Sequence, residues 1–138
     1  MTSKLQVDNL EGRTTKGSIT VTGESNGAST NLQQGLAKVI CNYTQVSTQT
    51  IKNSMNVASL TDLETGRTTV TFTNSFTDEF WIGGMYQNGA NAVNSGSWNT
   101  SQGGYIARTS NSVEQVSYTG SALIDSGHVD IQNFGDLA

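Results

Sequence analysis

The sequence predicts an all-β fold: an antiparallel sandwich or jelly-roll-like domain carrying an extended N-terminal β arm. Three observations lead there. Several segments alternate apolar and polar residues with a period of two, the pattern of a half-buried strand. Ser, Thr and Asn make up more than a third of the 138 residues, with 15 Gly and no Pro; Thr favours strands, and Asn and Gly favour the turns between them. Turn signals recur at intervals of roughly 8–15 residues, which gives about seven strands in the domain and no convincing helix.

Taken in order, Leu5-Gln6-Val7-Asp8-Asn9-Leu10 and Gly17-Ser18-Ile19-Thr20-Val21-Thr22-Gly23 are two short alternating segments. Together they offer only Leu5, Val7, Leu10, Ile19 and Val21 for burial, too little to offset an ordering cost of about 1.5 kcal/mol per residue. Residues 1–23 therefore read as an arm that gains order by pairing, either with sister chains and other proteins or with its own domain. Residues 24–31 are small and polar, the composition of a linker. The domain then runs from 32 to 138.

Lys38 to Thr44 alternates with Val39, Cys41 and Tyr43 on one face. The stretch from Ile51 to Phe72 reads as strand, turn, strand: Ala58 and Leu60 stand in phase, and Val70 and Phe72 share a face opposite threonines. Between them, Asp62-Leu63-Glu64-Thr65-Gly66 supplies an Asp that can bond its own backbone and a Gly that can take positive φ. Phe80-Trp81-Ile82-Gly83-Gly84-Met85-Tyr86 is the most apolar run. It suggests a strand buried on both faces, either central in a sandwich or at a subunit contact, and the Gly pair hints at a bulge or a close backbone approach. Residues 87–104 form the longest loop candidate, and Tyr105–Arg108, Ser112–Tyr118 and His128–Phe134 supply the remaining strands.

Part of this pattern resembles a module of tailed-phage virion proteins. Gly35-Leu36-Ala37-Lys38 leads into Ser54-Met55-Asn56-Val57-Ala58-Ser59, an Asp/Gly turn, the alternating Thr68–Thr73 segment and a terminal Val129-Asp130-Ile131 strand. That succession is similar to the C-terminal β module of tail-fibre-type proteins, over roughly Gly35 to Gly135. The match departs at Ile40-Cys41-Asn42, where the relatives carry an aromatic residue and this chain has Tyr43 instead. The resemblance implies a non-catalytic virion structural protein made in the host bacterial cytoplasm, a trimeric knob attached through residues 2–23. Other virion proteins, of tail or capsid, and a host surface glycan are the implied partners. Capsid decoration is the alternative placement, and a small polysaccharide-degrading enzyme a further reading.

The chemistry inventory is short. A net charge of −4 with scattered Lys and Arg provides no basic stripe for a phosphate backbone, which excludes nucleic acid as an expected partner. No window is long and apolar enough for a membrane span or a signal peptide, so neither membrane insertion nor an export signal is expected. The single Cys41 cannot close an intrachain disulfide, consistent with a reducing cytosol, and reads as a small buried hydrophobe. One histidine, His128, and one cysteine make no zinc site, and no phosphate-binding glycine loop is present; no cofactor or metal is expected. Glycoside hydrolysis needs two facing carboxylates, and of Asp62, Glu64, Asp78, Glu79, Glu114, Asp125 and Asp130 most fall in turns or on outward strand positions. Trp98, Asn99, Gln102 and Tyr105 are the candidate ligand contacts, an apolar ring with amides to bond hydroxyls; Trp98 folding back over the sheet is the alternative. Leu5, Val7, Leu10, Ile19, Val21, Phe80, Trp81 and Ile82 are the candidate oligomer or docking contacts.

Overall fold

The computed structural model describes residues 4–13, 19–22, 27–88, 104–119 and 122–138. The chain divides into two units, Met1–Leu36 and Ala37–Ala138, so the division falls a few residues after the stretch read as a linker.

In the first unit, residues 4–13 form neither helix nor strand. The strand expected over Leu5–Leu10 is absent because Leu5, Val7 and Leu10 are all exposed and bury nothing. Strand β1 (Thr20–Thr22) pairs antiparallel with β2 (Ser29–Asn31), within the stretch read as linker. A hydrogen bond between the Thr22 and Ser29 hydroxyls, 2.9 Å apart, ties the two strands together. A single helical turn, α1 (Leu32–Gly35), follows, and the Leu32 N–H donates to the Ile19 carbonyl at 2.9 Å.

The second unit is an antiparallel sandwich. Strands β3 (Val39–Thr44), β4 (Thr50–Met55), β7 (Ile82–Asn88) and β12 (His128–Phe134) form one sheet in the order β4-β3-β12-β7. The second sheet holds β5 (Val57–Glu64), β6 (Arg67–Phe72), β8 (Gly104–Arg108) and β9 (Ser112–Val116) in the order β5-β6-β9-β8. A two-residue ladder joins β10 (Tyr118–Thr119) to β11 (Ala122–Leu123). Val39, Cys41, Tyr43, Val129 and Ile131 face Val70, Phe72 and Val113 in one core. Each such side chain stabilises the fold by about 1.5–3 kcal/mol when fully buried.

The Ile51–Phe72 stretch departs from its expected form. It holds three strands, not two, because Asn56 takes φ 59° and turns the chain from one sheet to the other. Asn tolerates this left-handed conformation better than most residues. Its side chain secures the corner: Nδ2 donates to the Asn74 carbonyl at 3.0 Å, and Oδ1 accepts the Asn74 N–H at 2.7 Å. The register then shifts between Val57 and Ser59. Consequently Val57 and Leu60 pack on the core and Ala58 is exposed, so the expected pairing of Ala58 with Leu60 does not hold. The turn itself is as read, with Gly66 at φ 72°.

The apolar run at Phe80 is likewise not buried on both faces. β7 is an edge strand, and Phe80 and Ile82 are 74% and 75% exposed while Trp81 is 2% exposed. Trp81 lies in an aromatic cluster, stacked on Phe76 at 5.5 Å and edge-on to Phe72 at 5.9 Å. Its indole N–H donates to the Thr109 carbonyl at 3.0 Å, and the Arg108 guanidinium sits 5.7 Å from the ring centre. Gly135 approaches the same cluster closely, since a Cβ there would meet Phe76 and the Trp81 Cβ at 3.0 Å. β7 pairs with β12 from Asn88 to Ile82 without a register shift, so the Gly83-Gly84 pair makes no bulge.

Candidate functional site

The two outer faces of the sandwich differ in chemistry. On the second sheet, Thr69 of β6 stands opposite Glu114 of β9, and Thr71 opposite Ser112. Arg67 on the same face donates through Nε to Glu114 at 2.8 Å and through Nη1 to Glu64 at 2.5 Å. The two carboxylates together raise the Arg67 pKa, Glu64 first and Glu114 next. Among the described residues this face pairs Arg67 with Glu64 and Glu114.

The first sheet is different. Its registers align three rows of outward residues: Ile82 beside Phe134, Gly84 beside Gln132 beside Ile40, and Tyr86 beside Asp130 beside Asn42. Ile82 is exposed, and Ile40 and Met55, paired across β3 and β4, are also exposed. Gly84 has no side chain between Ile82 and Tyr86, which leaves a notch of about 290 Å³ bordered by Ile40, Gly84, Tyr86, Asp130 and Gln132. Cys41, Met85 and Ile131, whose side chains belong to the core or pack against it, also border it.

Asp130 is held on two sides. Asn42 Nδ2 donates to Oδ1 at 2.5 Å, and His128 Nε2 lies 2.9 Å from Oδ2. The same Nε2 is 2.9 Å from Asn42 Nδ2. One nitrogen cannot serve both partners in the same way: carrying a proton it donates to Asp130, and without one it accepts from Asn42. In either form the Asp130 carboxylate, which borders the notch, retains acceptor capacity. Its charge also acts on Cys41, whose thiol is pushed up from 9.0 to about 11, by burial first and by Asp130 second.

The residues singled out from the sequence fall in different places. Trp98, Asn99 and Gln102 lie outside the described residues, as does the side chain of Tyr105, whose backbone pairs with Gln115 in the second sheet. Leu5, Val7, Leu10 and Val21 are exposed, and Ile19 is half-buried. Phe80 and Ile82 are exposed at the β7 edge, whereas Trp81 belongs to the core. Asp78 accepts the Phe80 N–H at 2.8 Å and Asp125 the Gly66 N–H at 2.8 Å, while Glu64 and Glu114 converge on Arg67. Asp130 and Glu114 lie on different sheets. Among the described residues no group of three His, Cys, Asp or Glu could hold a metal ion, and no helix is long and apolar enough to cross a membrane.

The notch was not legible in the sequence. Its walls come from three strands far apart in the chain, and only the registers bring them level. The one local signal is the Ile82-Gly84-Tyr86 alternation, a gap between two large residues on one face. Comparisons with protein-family models, curated proteins and solved structures find no match for this chain.

Proposed function

We propose that this chain is a non-catalytic virion structural protein of a tailed phage, a β-sandwich knob attached to the particle through its N-terminal arm. The observation that carries the reading is the contrast between the two units. Residues 37–138 knit two sheets around one core, while residues 4–13 have no regular structure and leave Leu5, Val7 and Leu10 in solvent. Alternating apolar side chains without a core of their own suit a segment that orders against another protein surface. The resemblance of residues 35–135 to fibre-type modules supplies the class of that surface. Glu64 and Glu114, the pair that converges, are both bonded to Arg67, which favours a binding or structural protein over a glycanase, whose two carboxylates must face the substrate. Exposed Phe80 and Ile82 add a second apolar patch for contact between copies, in keeping with a trimer.

Density-gradient fractionation of a phage-producing culture tests the proposal. The chain is expected to band with the particles; recovery only in the soluble lysate overturns it.

A further inference from the structure

We propose that the notch on the outer face of the β4-β3-β12-β7 sheet binds a single ring of a neutral sugar. The space is small, about 290 Å³, at the lower end of ligand pockets and suited to one ring. Its walls combine the two chemistries that a sugar ring presents. Tyr86 and Ile40 offer apolar surface for a C–H face, and Asp130, Gln132 and the Tyr86 hydroxyl offer hydrogen-bonding groups for the rim of hydroxyls. The Asp130 carboxylate is held by the Asn42 amide, with His128 Nε2 2.9 Å away, which reduces the ordering cost of using it. Gln132 brings its Nε2 beside Gly84, 4.0 Å from where a Cβ would stand.

The charge of the ligand follows from the same residues. Among the described residues no Lys or Arg borders the notch, and Asp130, in a chain of net charge −4, opposes a carboxylate or sulfate. A bare cation is disfavoured because, among the described residues, no group of three His, Cys, Asp or Glu is assembled there to hold one. A neutral polyol with hydroxyl donors fits the remaining lone pairs. The inference concerns the notch alone; only the source of the sugar, a host surface, rests on the virion reading.

The test is saturation-transfer NMR on the full chain with methyl glycosides of neutral hexoses and N-acetylhexosamines, alongside glucuronic acid. Transfer to at least one neutral ring, exceeding that to glucuronic acid, is expected. Gly84→Val places a branched side chain in the notch, where a Cβ meets nothing closer than the flexible Gln132 amide at 4.0 Å; it should weaken binding by about tenfold or more. Tyr86→Phe keeps the ring, removes the hydroxyl and should weaken binding less. Thr69→Ala on the opposite sheet should leave it unchanged. Absence of transfer to every neutral ring, preference for the acid, or undiminished binding in a Gly84→Val variant that melts as the parent does would each overturn the proposal. If Gly84→Val does not fold, the same criterion applies to Gln132→Ala. Sugar binding by a chain that fails to band with particles would sustain the notch and remove the virion.

Discussion

Replacing Gln45 by Leu should destabilise the sandwich more than any other single change in its buried polar network. Gln45 follows β3 and continues its inward phase after Val39, Cys41 and Tyr43, so a polar side chain enters the core with 1% exposure. Its Nε2 donates to Thr68 Oγ1 and to Gln115 Oε1, both at 3.0 Å, and its Oε1 accepts the Ser126 N–H at 3.0 Å. Gln115 Oε1 also accepts the Tyr43 hydroxyl at 2.6 Å, and Gln115 Nε2 donates to Ser117 at 2.7 Å. The network bolts one sheet to the other.

Leu nearly matches the volume of Gln and strands the buried Ser126 N–H, which costs about 1–3 kcal/mol, while two further bonds are lost at about 1 kcal/mol each. The added apolar burial recovers about 1 kcal/mol, leaving a net loss of about 3 kcal/mol. Tyr43→Phe removes one bond and leaves Gln115 Oε1 with Gln45, so its loss is about 1 kcal/mol. Urea unfolding measures both. With a slope of about 2 kcal/mol/M, Gln45→Leu should lower the midpoint by about 1.5 M at unchanged slope, and Tyr43→Phe by about a third of that. If both variants lie within about 0.5 kcal/mol of the parent, or Tyr43→Phe is the worse, the network does not join the sheets as described.

Three other outcomes follow from the geometry, and a fourth from the proposed trimer. Gly66→Ala should destabilise by at least about 2 kcal/mol in the same urea assay, because the residue sits at φ 72° and a Cβ would lie 2.8 Å from the carbonyl oxygens of Ser117 and Ile124. Asn56→Ala should cost about 1–3 kcal/mol, losing the two Asn74 hydrogen bonds at a left-handed position, and Asn56→Gly should cost less because only the bonds are lost. Cys41, raised to about 11 in the fold, should resist iodoacetamide at pH 8 until urea unfolds the chain. Because the folded thiol holds its proton to higher pH, its contribution is full below about pH 9 and lost as pH rises toward 11, and this decline should be absent in Cys41→Ala. Light scattering of the full chain should give three times the 14.6 kDa chain mass; one chain mass would remove the trimer.

What the sequence revealed depended on whether the determinant was local. The inward phases of Val39-Cys41-Tyr43 and Val70-Phe72 were readable because alternation is a property of neighbouring residues. Gly66 was readable because a turn at positive φ selects Gly. The corner at Asn56 was not: Asn also suits ordinary turns, and nothing nearby marks a change of sheet, so two strands looked like one. Ala58 was misphased because a bulge breaks the period of two that the reading assumes. Phe80 and Ile82 read as part of a strand buried on both faces, in a sandwich or at a subunit contact, because hydrophobicity does not distinguish a central strand from an edge whose outer side chains face solvent. The notch and the Gln45 network depend on registers between strands up to about ninety residues apart, such as Ile40 with Gln132, and long-range pairing leaves no trace in a local window.

The most direct measurement is quantitative mass spectrometry of gradient-purified particles made with the full chain or with residues 2–23 deleted. The account predicts a fixed copy number of the full chain per particle and loss of the deleted form to the soluble fraction, where its sandwich should still unfold cooperatively. Equal incorporation of both forms would contradict attachment through the arm, and absence of the full chain from particles would contradict the virion reading itself.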